Sequence, residues 1–480
     1  MIFRRLAKDS AIYGGADFIG KTLTFFSFPL VAAVLSPLAF GALELILASG
    51  RLLGVVVNCG LNNALQRFYW DENTLKVDRP SAVSSGFMAQ FVFGSIAFIL
   101  LCISIPELHA IAQCEELPIS KTALFLGTCL MVLFQWNQYA LDVARLHEAP
   151  WCFFSISIFS RGGAAVLGVL AVVVFEWGID GWIGAQVLAL MSALPVALCV
   201  IRRDLTFRFD FSWVRKLTGF GYPFIFVGLA YWLFTSMDRW MLAGMTSVNE
   251  VGIYSVASRF GLAVFFVSTA FGQAWSPLSI KMRTEYPQKY REIYVNVLFA
   301  LLLLMLAVGG SLALFSGEVI GLFMPPTYSS ASLPLAILCF GSVLQSTLQV
   351  TAIGISLEKK VFLFARVAWV TALINLGLNY LLIPLHGASG AATATLVSYT
   401  VMTGCYLYFT QRLHPLPIPW WRLGFIFFLG GTLACVAISW VTGEFVWFVV
   451  ISKIILITVC VVLAYFLLPF RTISFRQTVG

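Results

Sequence analysis

Apolar residues along this chain come in blocks of about twenty, divided by short breaks that carry charges, prolines or glycines. A helical block of about that length crosses the ~30 Å hydrocarbon core of a bilayer. Cutting at the breaks predicts fourteen helices, at 10–36, 41–66, 82–105, 119–141, 150–175, 178–201, 218–237, 250–276, 291–315, 331–355, 361–384, 387–410, 422–442 and 446–469. The first block lacks a small-residue cleavage site and ends at Pro37, so it reads as a retained span rather than a signal peptide. An even number of crossings leaves both termini on one face, and basic residues mark that face as cytoplasmic. Twenty-two Lys and Arg fall on the face of the termini, including Arg471 and Arg476 of the tail, against only Lys121 and Arg239 on the other.

Composition adds what the chain does not do. It is 60% hydrophobic and 11% charged over 480 residues, whereas a soluble domain carries about 25% charged residues. The net charge of +8 is spread over many loops instead of clustering on one folded surface, so no nucleic-acid partner is expected. Nine of the ten cysteines lie inside apolar blocks, with no CxxC and no Cys/His spacing for a metal, and read as packing residues. No cofactor is expected. The longest connections, 202–216 and 106–121, are too short for a catalytic domain, and the chain reads as a non-enzyme.

The chain also repeats itself at about 210 residues. "RLHEAPWCFF" (145–154) faces "SLEKKVFLFA" (356–365), and "WGIDGWIGAQVLAL" (177–190) faces "HGASGAATATLVSY" (386–399). The second pair aligns Gly178 with Gly387 and Gly181 with Gly390, and a third match aligns Gly41 with Gly252. Spans 1–6 therefore read as duplicated in spans 7–12. The expected architecture is all-α and integral to the membrane: two pseudo-symmetric six-helix lobes around a central cavity, plus a C-terminal helix pair. The expected divisions are 1–203 for the first lobe, 204–217 for a cytoplasmic linker, 218–412 for the second lobe, and 413–480 for the added pair and tail.

The chemistry lies in charges set deep inside spans. A charged side chain near the bilayer centre costs at least ~2.5–3.5 kcal/mol, so it is expected to face water, a partner or a ligand. From the ~1.5 Å rise per residue, Lys21, Arg51, Arg161 and Arg259 lie roughly 12–16 Å from the nearest span end. Lys21 sits in "GADFIGKT" (15–22), which fits the phosphate-loop pattern. Asp17 inside that loop would repel phosphate, no soluble strand precedes it, and the chain continues as membrane-grade helix, so a nucleotide site is rejected. Asp17 and Lys21 share a helix face at i,i+4 and can neutralise each other. Glu44 or Asp142 could likewise partner the arginines. The alternative is that Lys21, Arg51 and Arg259 line a cavity and attract an anion, with an arginine fork suited to phosphate. Arg366 and Lys453, nearer their span ends, could snorkel to the interface. Aromatic residues Trp136, Tyr139 and Trp275 are candidates for stacking on sugars, against the simpler reading that they pack the bundle.

These features carry a resemblance. "LAKDSAIYGGADFIGKTLTFFSFPLVAAVLSPLAFGALEL" is similar to the opening of bacterial polysaccharide-transport (O-antigen) flippases, and "GLNNALQRFYWDE" resembles the end of their second span. "GYPFIFVGLAYWLFTSMDRWMLAGMTSVNEVGIYSVASRF" resembles their span 7–8 hairpin, with the Asp238-Arg239 pair. The resemblance covers residues 5 to about 412 and extends to the multidrug/oligosaccharidyl-lipid/polysaccharide exporter superfamily, which includes lipid II flippases. It implies alternating access that moves undecaprenyl-diphosphate-linked oligosaccharide from the cytoplasmic to the periplasmic leaflet of the bacterial inner membrane. It also implies that Lys21, Arg51 and Arg259 line the cavity. Asp17 becomes a candidate carrier for H+ or Na+, and a polysaccharide polymerase with its chain-length machinery becomes a candidate partner. Lipid II flippase and multidrug/cation antiporter remain the alternatives of the same superfamily.

Overall fold

The computed structural model describes residues 2–72, 74–205, 210–358, 360, 362–441 and 447–466. Arg471, Arg476 and the end of the tail lie outside the described residues, as do positions 206–209 of the expected linker. Within the described residues every regular element is a helix. The first ten are α1 (Ile2–Val34), α2 (Pro37–Asn58), α3 (Leu61–Tyr69), α4 (Arg79–Cys114), α5 (Lys121–Leu146), α6 (Pro150–Ser157), α7 (Gly163–Val169), α8 (Gly178–Ile201), α9 (Phe211–Gly221) and α10 (Pro223–Met245). Five-residue π turns, Ile158–Gly162 and Leu170–Val174, continue α6 and α7. The remainder are α11 (Val248–Glu285), α12 (Tyr290–Leu314), α13 (Ser316–Phe323), α14 (Ser332–Thr351), α15 (Ile353–Leu357), α16 (Phe362–Leu413), α17 (Trp420–Ser439) and α18 (Trp447–Phe466).

Contacts divide the chain into two compact units, Met1–Arg239 and Trp240–Gly480. The division falls inside α10, after the linker expected at 204–217, because α9 packs on α3 and α4. Farther along, Trp232 Nε1 of α10 donates to the Ala48 carbonyl of α2 at 2.9 Å.

Ten helices among the described residues are long and apolar enough to cross a membrane, or eleven if α9 and α10, bent by 45°, form one span. The chain is therefore a multi-pass membrane protein, but the fourteen separate spans of the sequence reading exceed that number. Part of the difference is α16, whose 52 residues hold both expected spans 361–384 and 387–410 on either side of a non-helical break at Gly387. Another part is α18, whose described apolar stretch, Trp447–Cys460, is short. The span expected at 41–66 ends at Asn58, where Cys59 and Gly60 take left-handed φ values of 47° and 67° and turn the chain into α3. Glycine suits this turn twice over: it tolerates positive φ, and a Cβ on Gly60 would collide with the Gly221 carbonyl.

Local landmarks of the sequence repeat recur within each unit. Ser36 caps α2 by accepting from Ala39 N at 3.2 Å, and Ser247 caps α11 by accepting from Glu250 N at 3.3 Å. Gly178 and Gly387 share a positive φ, 57° and 52°, at the aligned helix break. A third pair is reversed in polarity. His147 Nε2 lies 2.6 Å from Asp204 in the first unit, and Glu358 lies 3.7 Å from His414 Nδ1 in the second. Burial and the nearby Arg291 and Arg283 lower the His414 pKa from its usual value.

Lys453 does not snorkel. Its ammonium is fully buried, 2.5 Å from Glu318 Oε1 and over the Phe315 ring, and so ties α18 to α13. Arg366 is exposed and stacks on Phe362. Removing one partner of a buried ion pair strands the other charge, which costs about 3–5 kcal/mol. Lys453→Met is therefore expected to lower the unfolding midpoint in detergent sharply, and Lys453→Met with Glu318→Gln to recover most of it.

Candidate functional site

The deep charges of the first unit resolve into two groups. In the first, Asp17 uses both carboxylate oxygens. Lys21 Nζ, one helical turn along α1, sits 2.7 Å from Oδ2, and Arg161 donates to Oδ1 from the π turn after α6. Gly20 permits this crossing: a Cβ there would stand 2.9 Å from Arg161 Cδ. The wide π turn is a common device for aiming a side chain out of a helix register. Two cations on one carboxylate leave a net positive charge, and Lys21 and Arg161 keep 39% and 32% of their side chains accessible.

The second group centres on Arg51. It approaches Glu44, two turns earlier on α2, at 3.9 Å. Glu44 is buried and lies closer to Arg239, at 3.4 Å from Nε. Asp142 is otherwise engaged, with Asn62 at 2.7 Å and Arg145 at 3.2 Å. Arg51 keeps nearly half of its side chain accessible, and it borders a cavity of about 700 Å³ built wholly within the first unit.

The spacing along the helices explains which residues reach that cavity. On α2, Leu47, Arg51, Gly54 and Asn58 recur at intervals of three and four, one face of a helix. On α5 the same rule selects Gly127, Met131, Phe134, Gln135 and Gln138. Residues of α3, α8 and α10 complete the wall, and no Asp or Glu is among the lining residues. The lining thus sets one arginine and six amides among apolar residues and glycines. Such a pocket can hold an anion through a forked, charge-assisted contact and can hydrogen-bond a polyhydroxylated group beside it.

Of the cavity cations expected from sequence, Arg51 lines this pocket and Lys21 belongs to the Asp17 group instead. Arg259 is half-buried on α11, in the second unit. The aromatic candidates face packing. Tyr139 is fully buried in the core around Ala82, Leu141 and Phe153, and its hydroxyl donates to the Val83 carbonyl at 2.7 Å. Trp136 stacks on Phe91 with ring centroids 5.1 Å apart. Trp275 is 4% exposed, beside Phe271 and edge-on to Tyr294. The aromatic rings that do line the cavity are Phe134 and Phe224. The amides Asn62, Asn63 and Gln138, absent from the sequence-based candidates, lie inside the stretches "GLNNALQ" and "WNQY". The usable signal was their helical phase relative to Arg51, not their residue type.

Long apolar helices, with a cavity in the first unit that brings an arginine and amides among apolar residues, are features of membrane transporters. Comparison with known proteins makes the family plain. The chain belongs to the polysaccharide biosynthesis protein family, whose model matches residues 6–283. It is 22% identical over 319 residues to a probable low-salt glycan biosynthesis flippase, Agl15, of Haloferax volcanii, covering 53% of this chain and 68% of that one. Its fold is similar to a lipid II flippase, MurJ, in an inward closed conformation, with a TM-score of 0.73 at 14% identity over 94% of this chain and 97% of that one. It is also similar to an inward-facing multidrug resistance MATE family transporter, at a TM-score of 0.62 and 13% identity over 85% and 97%.

The separation of packing from site residues is testable. Tyr139→Phe removes one buried hydrogen bond and is expected to cost about 0.5–1.5 kcal/mol of stability. Transport by the folded fraction should stay at the wild-type rate.

Proposed function

We propose that this protein is a flippase for an undecaprenyl-diphosphate-linked oligosaccharide, a repeat unit of O-antigen or another surface polysaccharide. It moves the headgroup from the cytoplasmic to the periplasmic leaflet of the bacterial inner membrane, with both termini in the cytoplasm. The observation that carries this reading is an accessible arginine, Arg51, in a large cavity whose lining holds amides and no acid. Family membership supports a role in polysaccharide biosynthesis.

The physical logic is a desolvation problem. Drawing many hydroxyls and a diphosphate through hydrocarbon without partners is prohibitively costly. A polar cavity supplies replacement hydrogen bonds while the prenyl chain stays in lipid. Alternating access of the cavity to the two faces then releases the headgroup on the far side. Lys21 and Arg259 are proposed to contribute positive potential along the path. Coupling to H+ or Na+ through Asp17 would require one of its two ion pairs to open. A polymerase with its chain-length machinery is the proposed recipient of the product. Lipid II remains the alternative cargo of the same kind. The multidrug/cation alternative is disfavoured because the charged side chain on the cavity wall is the arginine, which repels a cation.

The test is translocation of a fluorescent undecaprenyl-diphosphate oligosaccharide in proteoliposomes, read by protection from an external lectin. Wild type should flip it, Arg51→Ala should slow flipping by at least about tenfold, the equivalent of one charge-assisted hydrogen bond, and Arg51→Lys should fall between. Wild-type vesicles that flip no glycolipid would refute the reading.

A further inference from the structure

Three contacts fix how α2, with its continuation α3, runs beside α5. Ile46 meets Gly127, where a Cβ would stand 2.8 Å from the isoleucine methyl. Gly54 lies against the Gln135 amide, and Asn62 Nδ2 donates to Asp142 at 2.7 Å. Partner numbers differ by 81, 81 and 80, so the two segments are parallel and in register along the cavity. Each lining residue therefore has an axial level.

Read by level, the wall is graded. One end carries Ile46, Leu47, Gly127 and Leu130. Arg51 follows. Beyond it, at the α3 end, come five amides: Asn58, Asn62 and Asn63 from α2 and α3, and Gln135 and Gln138 from α5. Asn58 is seven residues past Arg51, a rise of about 10 Å, which is the scale of a sugar ring or two. A sixth amide, Gln186, stands on the other side of Arg51. Its level follows from Ser120, which donates to Asp180 at 2.5 Å, and from Gly184 against Leu126. The Asn62 Oδ1 and Gln186 Nε2 atoms are buried without a hydrogen-bond partner among the described residues, a state that costs about 1–3 kcal/mol each. The Asn62 Oδ1 orphan is an acceptor at the amide end, where a glycan hydroxyl can donate to it, whereas Gln186 lies at the apolar end and is not part of that group.

Building on the flippase reading, we infer that the cavity holds its glycolipid in a single axial orientation. The diphosphate sits at Arg51, the glycan lies on the amides at the α3 end, and the first isoprene units lie against the apolar end. The order apolar–cation–amide along α2 is the order isoprenoid–diphosphate–glycan along the ligand. Amides present a donor and an acceptor each and carry no charge, so this subsite suits the hydroxyl and amide groups of a glycan, and Arg51 beside it disfavours a cationic sugar. Phe134 and Phe224 offer ring faces for the apolar sides of sugars. The glycan subsite is thus amide-based, whereas the Trp and Tyr residues nearby serve packing.

The test uses full-length protein in nanodiscs and two probes, undecaprenyl-diphosphate oligosaccharide and sugar-free undecaprenyl diphosphate. Asn63→Leu with Gln138→Leu keeps side-chain size, and neither residue takes part in a described side-chain hydrogen bond. Wild type should bind the glycosylated probe more tightly. The double variant should lose about tenfold in affinity for it, the loss expected for two hydrogen bonds, and bind the sugar-free probe unchanged. Arg51→Ala should weaken both probes equally. Equal affinity of wild type for the two probes, or a double variant unchanged or weakened equally for both, would overturn the amide subsite while leaving the flippase reading intact. Wild type that binds neither probe would remove the reading and this inference together.

Discussion

A charge inside a bilayer must find a partner, a ligand or water, and the organisation of this protein follows from how it meets that demand. Lys21 and Arg161 share the carboxylate of Asp17, which binds α1 to the π turn after α6. Lys453 and Glu318 neutralise each other in the interior of the second unit and fasten α18 there. Arg239 takes the nearer approach to Glu44. Arg51 also approaches Glu44, at 3.9 Å, and borders the cavity with nearly half of its side chain accessible. That accessibility is why the proposed reading gives it the anion-holding role.

The backbone obeys a parallel rule. Carbonyls and N–H groups in hydrocarbon must be satisfied internally, so breaks in spanning helices occur where something else covers them. At Gly60 the chain turns against the backbone of Gly221, placing α3 at one end of the cavity and the α9–α10 bend beside it. The breaks at Gly178 and Gly387 share a left-handed conformation. In each, a second glycine three residues on, Gly181 or Gly390, lies against the preceding segment. These are the positions at which the helices can be both broken and tightly packed.

Much of this was legible in the sequence. Long apolar blocks announced a helical membrane protein, and the glycine pairs near 210 residues apart marked equivalent breaks. The deep arginine at position 51 stood out because no acid lies within a turn of it. What the sequence concealed were facts of side-chain direction. Trp136 and Tyr139 flank Gln138 on one helix, yet the aromatics turn into packing while the amide faces the cavity. Lys453 looked close enough to a span end to reach water, but Glu318, 135 residues earlier, holds it inside. The fourteen apolar blocks are not matched one to one by helices that each pass as a separate span, since two of them lie in α16 on either side of the break at Gly387.

The central claim is that the charge of Arg51 sets which ligand the cavity accepts. The most direct measurement reverses that charge. Wild type and Arg51→Glu in proteoliposomes would each be given a lipid-linked oligosaccharide diphosphate and, separately, a lipophilic organic cation. The variant, still folded, is expected to stop flipping the glycolipid and to gain affinity for the cation. An Arg51→Glu protein that flips the glycolipid at the wild-type rate would contradict the claim.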